Sequence, residues 1–165
     1  VAGFDRSDRD VIEGRIGAHG RGASVRVLLD PNKDAFGYEK NGIPTRPVAA
    51  DLMQAGIPVR WCDTHGEQCH AKMMLLRDAD GVHRLLAGSA NFTRRNLEDY
   101  NLETSVVVVG DGTSPALREA SGYFESVWSN EPGRRYSVPY EVYADESLPR
   151  GLLYQFEEGS GLSTF

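Results

Sequence analysis

Apolar residues along the first 130 positions alternate between helical spacing and short unbroken runs. In residues 7–22, "SDRDVIEGRIGAHGRG", a capping serine precedes apolar positions on one helical face, and glycines close the segment. The strand-like runs "SVRVLLD" and "IPVRWCD" each follow a helical segment. This alternation predicts an α/β fold with a mixed β-sheet flanked by helices on both faces. The predicted order is helix 7–22, strand 24–30, loop 31–46, helix 46–56, strand 57–63, a hairpin within 70–91, strand 100–111 and helix 113–130.

The pattern weakens after residue 130. We therefore expect residues 1–130 to form one α/β lobe and residues 131–165 to form a C-terminal extension that packs on it. Within the extension, "LPRGLLYQFEE" is the one stretch with the spacing of a short helix.

The stretch 70–91, "HAKMMLLRDADGVHRLLAGSAN", is polar at both ends and apolar on either side of Asp80-Gly81. Asp-Gly between apolar runs is a strong signal for a two-residue hairpin turn. Such a turn would place four polar side chains on one face of the hairpin, because side chains in a strand alternate with period two. The opposed pairs would be Lys72–Ser89 and His70–Asn91.

A patch of this composition is suited to an anion. The lysine contributes a point charge, the serine and the asparagine contribute directed hydrogen bonds, and Gly88 would let a ligand approach the backbone. A neutral histidine beside a phosphate can attack phosphorus or transfer a proton if a carboxylate holds its tautomer. Asn101 and Glu103 share a face where the next strand begins, so Glu103 is the expected orienting residue. A lone strand histidine is more often structural, but four converging polar side chains outweigh that alternative here.

These residues resemble the signature of the phospholipase D superfamily, the HKD-motif phosphodiesterases, which reads H-x-K-x4-D-x6-G-S-x-N. His70-Ala71-Lys72 matches its front, Gly88-Ser89-Ala90-Asn91 its back, and Asn101 with Glu103 the downstream N-x-E. The chain departs from the signature at Arg77, where the family has Asp, and Asp78 follows one position later. Asp78 would lie beside the turn, opposite His83 and far from His70, so its displacement should affect structure more than chemistry.

The resemblance implies a phosphodiesterase that needs no metal and no cofactor. One histidine would attack phosphorus to form a phosphohistidine, a second would protonate the leaving alcohol, and water or another alcohol would release the product. Family enzymes combine two such motifs, whereas this chain has one. We expect this chain to be the C-terminal lobe of a two-lobed member, whose second lobe lies upstream in the parent chain. A homodimer of single lobes is the next expectation. By that resemblance, His70 is either the nucleophile or the acid.

We therefore expect catalytic roles for His70, Lys72 and Glu103. We expect phosphate binding by Lys72, Ser89 and Asn91. Weaker candidates are Asp78, Asn101 and Gln68. Gln68 is two residues before His70, so strand alternation would place both side chains on the same face. The long loop after the first strand offers cationic and aromatic side chains for substrate contact, with a plain solvated loop as the alternative. These side chains are Lys33, Tyr38, Lys40 and Arg46. His65, Arg94 and Arg95 are read as ordinary solvated residues near the site.

The composition and charge of the chain limit the kinds of partner that it is expected to bind. A formal net charge of −6 argues against a polynucleotide surface, because phosphate backbones need a basic face. No apolar run approaches the ~20 residues that span a bilayer. The opening "VAGF" lacks Met and resembles the tail of a strand, so we expect a piece of a longer protein. Localisation stays open between a soluble fragment and a membrane-peripheral or cell-envelope parent. Cys62 and Cys69 are read as two small buried side chains rather than a bridge, although an oxidising compartment would permit one.

The leading interpretation is a phosphodiesterase or phosphatidyltransferase lobe acting on phospholipids. One alternative is a nuclease-type member that acts on nucleic acid as a homodimer. Another is a lobe with no activity of its own, kept as a half-site for its partner lobe.

Overall fold

The structure is a computed structural model. It describes the backbone of residues 2–3, 8–35, 38–39, 45–97 and 101–144, and the side chains of residues 8–33, 45–93, 96–97 and 101–144. The predicted helix at 148–158 lies outside these ranges, as do the side chains of Tyr38, Lys40, Arg94 and Arg95.

Four helices occur in the described chain: α1 (Arg9–Gly20), α2 (Thr45–Gln54), α3 (Arg94–Leu97) and α4 (Pro115–Ser129). The cap of α1 is Asp8, whose carboxylate accepts the N–H of Val11 at 3.0 Å, and not the predicted serine. α2 stops before Gly56, which takes a positive φ of 81°, and α4 begins at its proline. None of the described helices is long and apolar enough to cross a membrane.

Seven strands form one mixed sheet in the order β8-β7-β6-β1-β2-β5-β9. Strands β1, β2 and β5 are parallel to one another, and the remaining pairs are antiparallel. A separate two-stranded hairpin, β3 with β4, occupies the predicted loop. The strands are β1 (Ala2–Gly3), β2 (Val27–Leu29), β3 (Asp34–Ala35), β4 (Tyr38–Glu39), β5 (Val59–Cys62), β6 (Met73–Arg77), β7 (His83–Gly88), β8 (Ser105–Gly110) and β9 (Ser137–Pro139).

Each face of the sheet is covered by helices, which confirms the predicted fold class. Alternation along β2 sends Val27 and Leu29 into a core shared with α1 and α2. The same alternation sends Leu28 to the opposite face, where it packs with Phe124 and other residues of α4. The central strands are buried on both sides because apolar side chains point both ways.

The segment after α4 joins the sheet through β9, which pairs with β5. It continues into a short 3-10 helix, Tyr140–Val142, and the ring of Tyr140 stacks on buried Trp61 with centroids 6.0 Å apart. Lys33 and Arg46 both lie over the ring of Tyr143, and the Lys33 ammonium donates to its hydroxyl at 3.2 Å. These contacts give the two loop cations a structural role beside the predicted substrate contact.

Cys62 and Cys69 form a disulfide, so the prediction of two separate thiols is wrong. Cys62 ends β5 and Cys69 precedes β6, and the return of the chain between them brings the two Cα atoms to 6.1 Å. That separation lies in the range that a disulfide requires.

The β6–β7 hairpin is shifted by one residue from the predicted register. The N–H of Asp78 donates to the carbonyl of Val82 at 2.9 Å, and Gly81 takes a φ of 79°. The turn therefore has three loop residues with a left-handed glycine last, and the predicted two-residue turn is wrong. As a result, Lys72 lies opposite Gly88, whose N–H donates to the Lys72 carbonyl at 3.3 Å.

Candidate active site

The two halves of the motif lie at one end of the hairpin, just outside the regular strands. His70 and Lys72 precede the first residue of β6, and Ser89 and Asn91 follow the last residue of β7. Strand alternation therefore does not gather these four side chains onto one face, contrary to the prediction. The hydrogen bond from the Gly88 N–H to the Lys72 carbonyl joins the two halves instead.

His70 and Lys72 form the first half of the site. The Lys72 side chain is buried, with 7% exposure, and its ammonium donates to the carbonyl of His70 at 2.9 Å. His70 itself is exposed. Partial burial and, second, the positive charge of Lys72 lower the pKa of His70, because both disfavour the imidazolium. Both effects favour the neutral imidazole, the form that a nucleophile or a base requires.

Ser89 and Glu103 form the second half. The Ser89 hydroxyl donates to the Glu103 carboxylate and accepts the N–H of Thr104 at 3.0 Å. The other carboxylate oxygen of Glu103 accepts from the amide of Asn96. Neither of these bonds reaches His70, so the orienting role of Glu103 stays a prediction.

Gly88 is required by the neighbouring strand. A Cβ atom at this position would stand 2.6 Å from the Cα of Ser105 and closer still to the carbonyl oxygen of Thr104. The missing side chain thus lets β8 approach the end of β7, which brings Glu103 to Ser89. Access for a ligand at Gly88 stays a prediction beside this packing role.

Two amides near the motif carry buried polar atoms without a partner in the described part of the chain. These atoms are Oδ1 of Asn91 and Nε2 of Gln68. Buried polar groups are nearly always satisfied, so such atoms at a candidate site suggest a missing partner such as a ligand or water. Both residues were predicted site residues, one for phosphate binding and one as a weaker candidate.

The other predicted residues lie away from these contacts. Asp78 forms an exposed ion pair with Arg84 at the hairpin end, and His83 faces Arg77, so the predicted Asp78–His83 pair is wrong. The one-residue change in register is the reason. Asn101 is exposed before β8, and His65 lies 3.5 Å from the Asp63 carboxylate in an exposed loop.

Sequence reasoning missed the residue that anchors the histidine segment, Asp30. Its carboxylate is buried, with 1% exposure, and accepts the N–H groups of Asn32 and Cys69, each at 2.7 Å. The disulfide and this carboxylate together hold the backbone just before His70. The available signal was an acidic residue ending an apolar run at the carboxyl end of a parallel strand, where α/β folds place functional residues.

Asn96 was also missed. The hydroxyl of Thr93, which is fully buried, donates to the side-chain Oδ1 of Asn96 at 2.6 Å, and this orients the Asn96 amide toward Glu103. Among the residues that the structure describes, no His, Cys, Asp or Glu side chains group as metal ligands. The described site consists of a neutral imidazole, a buried ammonium and a hydroxyl held by a carboxylate. Such a set can bind an anion and attack it.

Comparisons with known proteins place this arrangement in a family. A sequence model described as "Cardiolipin synthase, PLD-like domain" matches residues 1–128. Nuc from Salmonella typhimurium, a phospholipase D family member, has 19% identity and a TM-score of 0.54, covering 84% of this chain and 79% of Nuc. NucT from Helicobacter pylori has 14% identity and a TM-score of 0.58, covering 84% of this chain and 79% of NucT. A search of curated proteins finds no match. Because the family match spans most of its length and both solved structures share its fold, the chain belongs to the phospholipase D superfamily, in the family described as the phospholipase D-like domain of cardiolipin synthase.

Proposed function

We propose that this chain is one catalytic lobe of a phosphodiesterase or phosphatidyltransferase that acts on phospholipid phosphodiesters through a phosphohistidine. The observation that carries the proposal is the buried ammonium of Lys72, which donates to the backbone carbonyl of His70 and whose charge helps to lower the pKa of the imidazole. These two residues lie at the same hairpin end as a serine bonded to Glu103. A neutral nucleophile beside a fixed cation and directed donors is what phosphoryl transfer to a side chain needs.

His70 is the nucleophile in this proposal. A general acid must be protonated before it acts, and the lowered pKa of His70 disfavours that form. The same lowered pKa leaves a ring nitrogen with a free electron pair for attack. Lys72 stabilises the added negative charge of the transition state, and Ser89 and Asn91 bind the phosphoryl oxygens.

The reaction has two balanced steps. A ring nitrogen of His70 attacks phosphorus, the bond from phosphorus to the leaving oxygen breaks, and a second histidine gives its proton to that oxygen. Water or an alcohol then attacks phosphorus, the second histidine takes the proton back, and the phosphorus–nitrogen bond breaks to restore His70. The second histidine comes from a partner lobe, because this chain carries one H-x-K with one G-S-x-N.

Phospholipid is the proposed substrate for two reasons. The description of the matching family names cardiolipin synthase, an enzyme that acts on lipid. The net charge of −6 also disfavours a long polyanion, whose binding depends on a basic surface.

The test is a comparison of His70→Gln with His19→Gln in the full-length parent protein. His19 lies in the last turn of α1, where its ring contacts the carbonyl of Ala23, and it has no place in the proposed mechanism. Turnover of a phosphatidylglycerol vesicle substrate should fall by at least about 10³-fold in His70→Gln and stay normal in His19→Gln. Quenching during turnover with detergent at neutral to mildly alkaline pH should leave an acid-labile phosphatidyl group on the histidine of the peptide that contains residue 70.

Either of two results would contradict the proposal. Normal turnover in His70→Gln would remove His70 from the chemistry. Label on another histidine, with none on His70, would make His70 the acid. Single-stranded DNA, tested in place of the vesicles, is the alternative substrate. If it is cleaved faster than lipid and in a salt-dependent way, the substrate class is nucleic acid, and the catalytic roles are unchanged.

A further inference from the structure

The two edges of the seven-stranded sheet differ in their chemistry. One edge is β9, which is three residues long and ends in Pro139, a residue without a main-chain N–H. The other edge is β8, which has six residues and reads Ser-Val-Val-Val-Val-Gly. Natural edge strands are blunted by shortness, proline, charge or a bulge, because these features prevent pairing with another chain. β8 has neither proline nor charge, and its register with β7 runs unbroken from Ser105 to Gly110.

Main-chain groups along β8 point alternately to β7 and to the free edge. The N–H of Ser89 donates to the carbonyl of Thr104 at 3.0 Å, so Thr104 bonds toward β7. Bonding alternates along an antiparallel strand, which directs Val106 and Val108 toward β7 as well. The intervening residues present their N–H and carbonyl groups to the edge, where the described part of the chain places no further strand. These residues are Ser105, Val107 and Val109.

The side chains of β8 are unusually exposed for valine. The exposed fractions are 57% for Val106, 61% for Val107 and 58% for Val109. Val108 lies on the face that carries α4 and packs against the core there. Among the described residues, the core on the opposite face takes its strand members from β2, β5 and β9 and none from β8. β8 therefore combines a free main-chain edge with an apolar surface, and exposed apolar patches mark interaction sites.

We propose that β8 is a dimerisation edge, at which the β8 strands of two copies of this chain pair antiparallel across a two-fold axis. The register that joins most of the outward-facing groups is centred on Val107. Val107 then opposes Val107 of the second copy, and Ser105 opposes Val109 of the second copy. These pairs would exchange roughly six main-chain hydrogen bonds, two for each hydrogen-bonded pair.

The composition of β8 favours a second copy as its partner. A strand that pairs with itself about a two-fold axis brings its own side chains together, so a charge near the axis would meet the same charge. The six residues of β8 carry no charge, and valine is a strong strand former. The new pairs would cover valine side chains on both faces of the sheet. Pairing would also close at two copies, because β9 is blunted and β8 would be used up.

The contact is small, so the dimer should be weak. A strand of six residues supplies fewer than the ~20–30 residues per side of a standard interface, and this places the dimer in the transient class. We expect a dissociation constant of roughly 10–100 μM. Glu103 would face Asp111 of the second copy beyond the strand ends, and each copy carries a net charge of −6. Higher salt should therefore tighten the dimer.

This dimer is separate from the partner lobe of the proposed function. Glu103 lies four residues before Val107, so the two copies of Glu103 would stand roughly 27 Å apart along the paired strands. One phosphate could not contact both sites. The β8 pairing therefore supplies no second histidine, and its argument does not depend on the catalytic roles.

The first experiment compares amide hydrogen exchange of the 165-residue chain at about 5 and 500 μM, with the mass followed by analytical ultracentrifugation. The higher concentration should give a dimer and slow exchange about 3- to 7-fold at Ser105, Val107 and Val109. Exchange at Val106 and Val108 should be equal at both concentrations, because their N–H groups bond to β7. A dimer through another surface would not protect alternate residues of β8.

A variant pair tests the same edge. Val107→Lys would place two ammonium groups opposite each other at the axis, so this variant should stay monomeric at about 500 μM. Val142→Lys is the matched control, since Val142 is also an exposed valine and lies on the 3-10 helix beyond β9, at the other edge of the sheet. The control should dimerise like the wild type.

A wild-type chain that stays monomeric at about 500 μM would overturn the proposal. Unchanged exchange at Ser105, Val107 and Val109 in a dimer would overturn it as well, as would wild-type dimerisation of Val107→Lys or a dimer that higher salt weakens. Protection of the same amides by phosphatidylglycerol vesicles, in a chain that is monomeric, would replace the second copy with a lipid surface. None of these readouts measures turnover, so failure here is distinct from failure of the proposed function.

Discussion

Replacing Gly88 with alanine should disable the site through packing alone, without removing any reactive group. The new methyl group would stand 2.6 Å from the Cα of Ser105 and closer to the Thr104 carbonyl oxygen. Both neighbours are backbone, so neither can rotate away. The ends of β7 and β8 must separate, and this separation breaks the two bonds between Ser89 and the backbone of Thr104, each 3.0 Å long.

The expected cost follows from these contacts. Overpacking a tight position costs about 1–3 kcal/mol, and each lost hydrogen bond costs about 0.5–1.5 kcal/mol. We therefore expect the free energy of unfolding to fall by roughly 2–6 kcal/mol. Turnover of the parent enzyme should fall as well, because Glu103 no longer holds Ser89 in place.

Urea unfolding of the chain, followed by circular dichroism, measures the stability change. Gly122→Ala is the matched control, since Gly122 lies within α4 and a Cβ there meets nothing within 4 Å. That control should gain about 0.5–1 kcal/mol, because alanine favours a helix interior over glycine. If Gly88→Ala unfolds at the wild-type urea midpoint and keeps wild-type turnover, the close approach of β8 is wrong.

Four other predictions follow from contacts around the histidine segment. Because the charge of Lys72 helps to lower the pKa of His70, Lys72→Met should raise it, and a histidine NMR titration would show the midpoint move to higher pH. In the wild type, stability should fall as pH drops below about 6.5, where the unfolded chain binds the proton first, and a stability gain on acidification would contradict this. Replacing Cys62 and Cys69 together with alanine should cost about 2.5 kcal/mol in urea unfolding, from the short loop that the disulfide closes; an unchanged midpoint would refute it. Asp30→Ala should cost about 2–4 kcal/mol because two buried N–H groups lose their acceptor, and Asp30→Asn should cost less.

The local sequence pattern was sufficient to predict several strands and helices and the chemical groups of the motif. The apolar runs of β2, β5 and β7, and the spacing of α4, are signals carried by neighbouring residues, and the structure contains all of these elements. The closeness of His70 and Lys72 needs only a two-residue separation. The assignment to the phospholipase D superfamily also came from residue identities at fixed spacing.

Tertiary structure decided the features that depend on distant parts of the chain. Asp80-Gly81, with its left-handed glycine, is compatible with both a two-residue and a three-residue turn, and the pairing of β6 with β7 selects the three-residue turn. The bond from the Cys69 N–H to Asp30 joins residues 39 positions apart, so it requires β2 and the segment before β6 to become neighbours. The disulfide and the link from Glu103 to Asn96 each span seven residues, but they form only because the chain folds back between the two residues.

The sequence by itself therefore determined which chemical groups this protein brings to its site, because reactivity is a property of residue type. Only the tertiary structure decided how those groups are held. The approach of one backbone to another at Gly88 depends on how strands separated along the chain line up in one sheet. No local preference encodes that alignment, since it is set by the packing of the whole lobe.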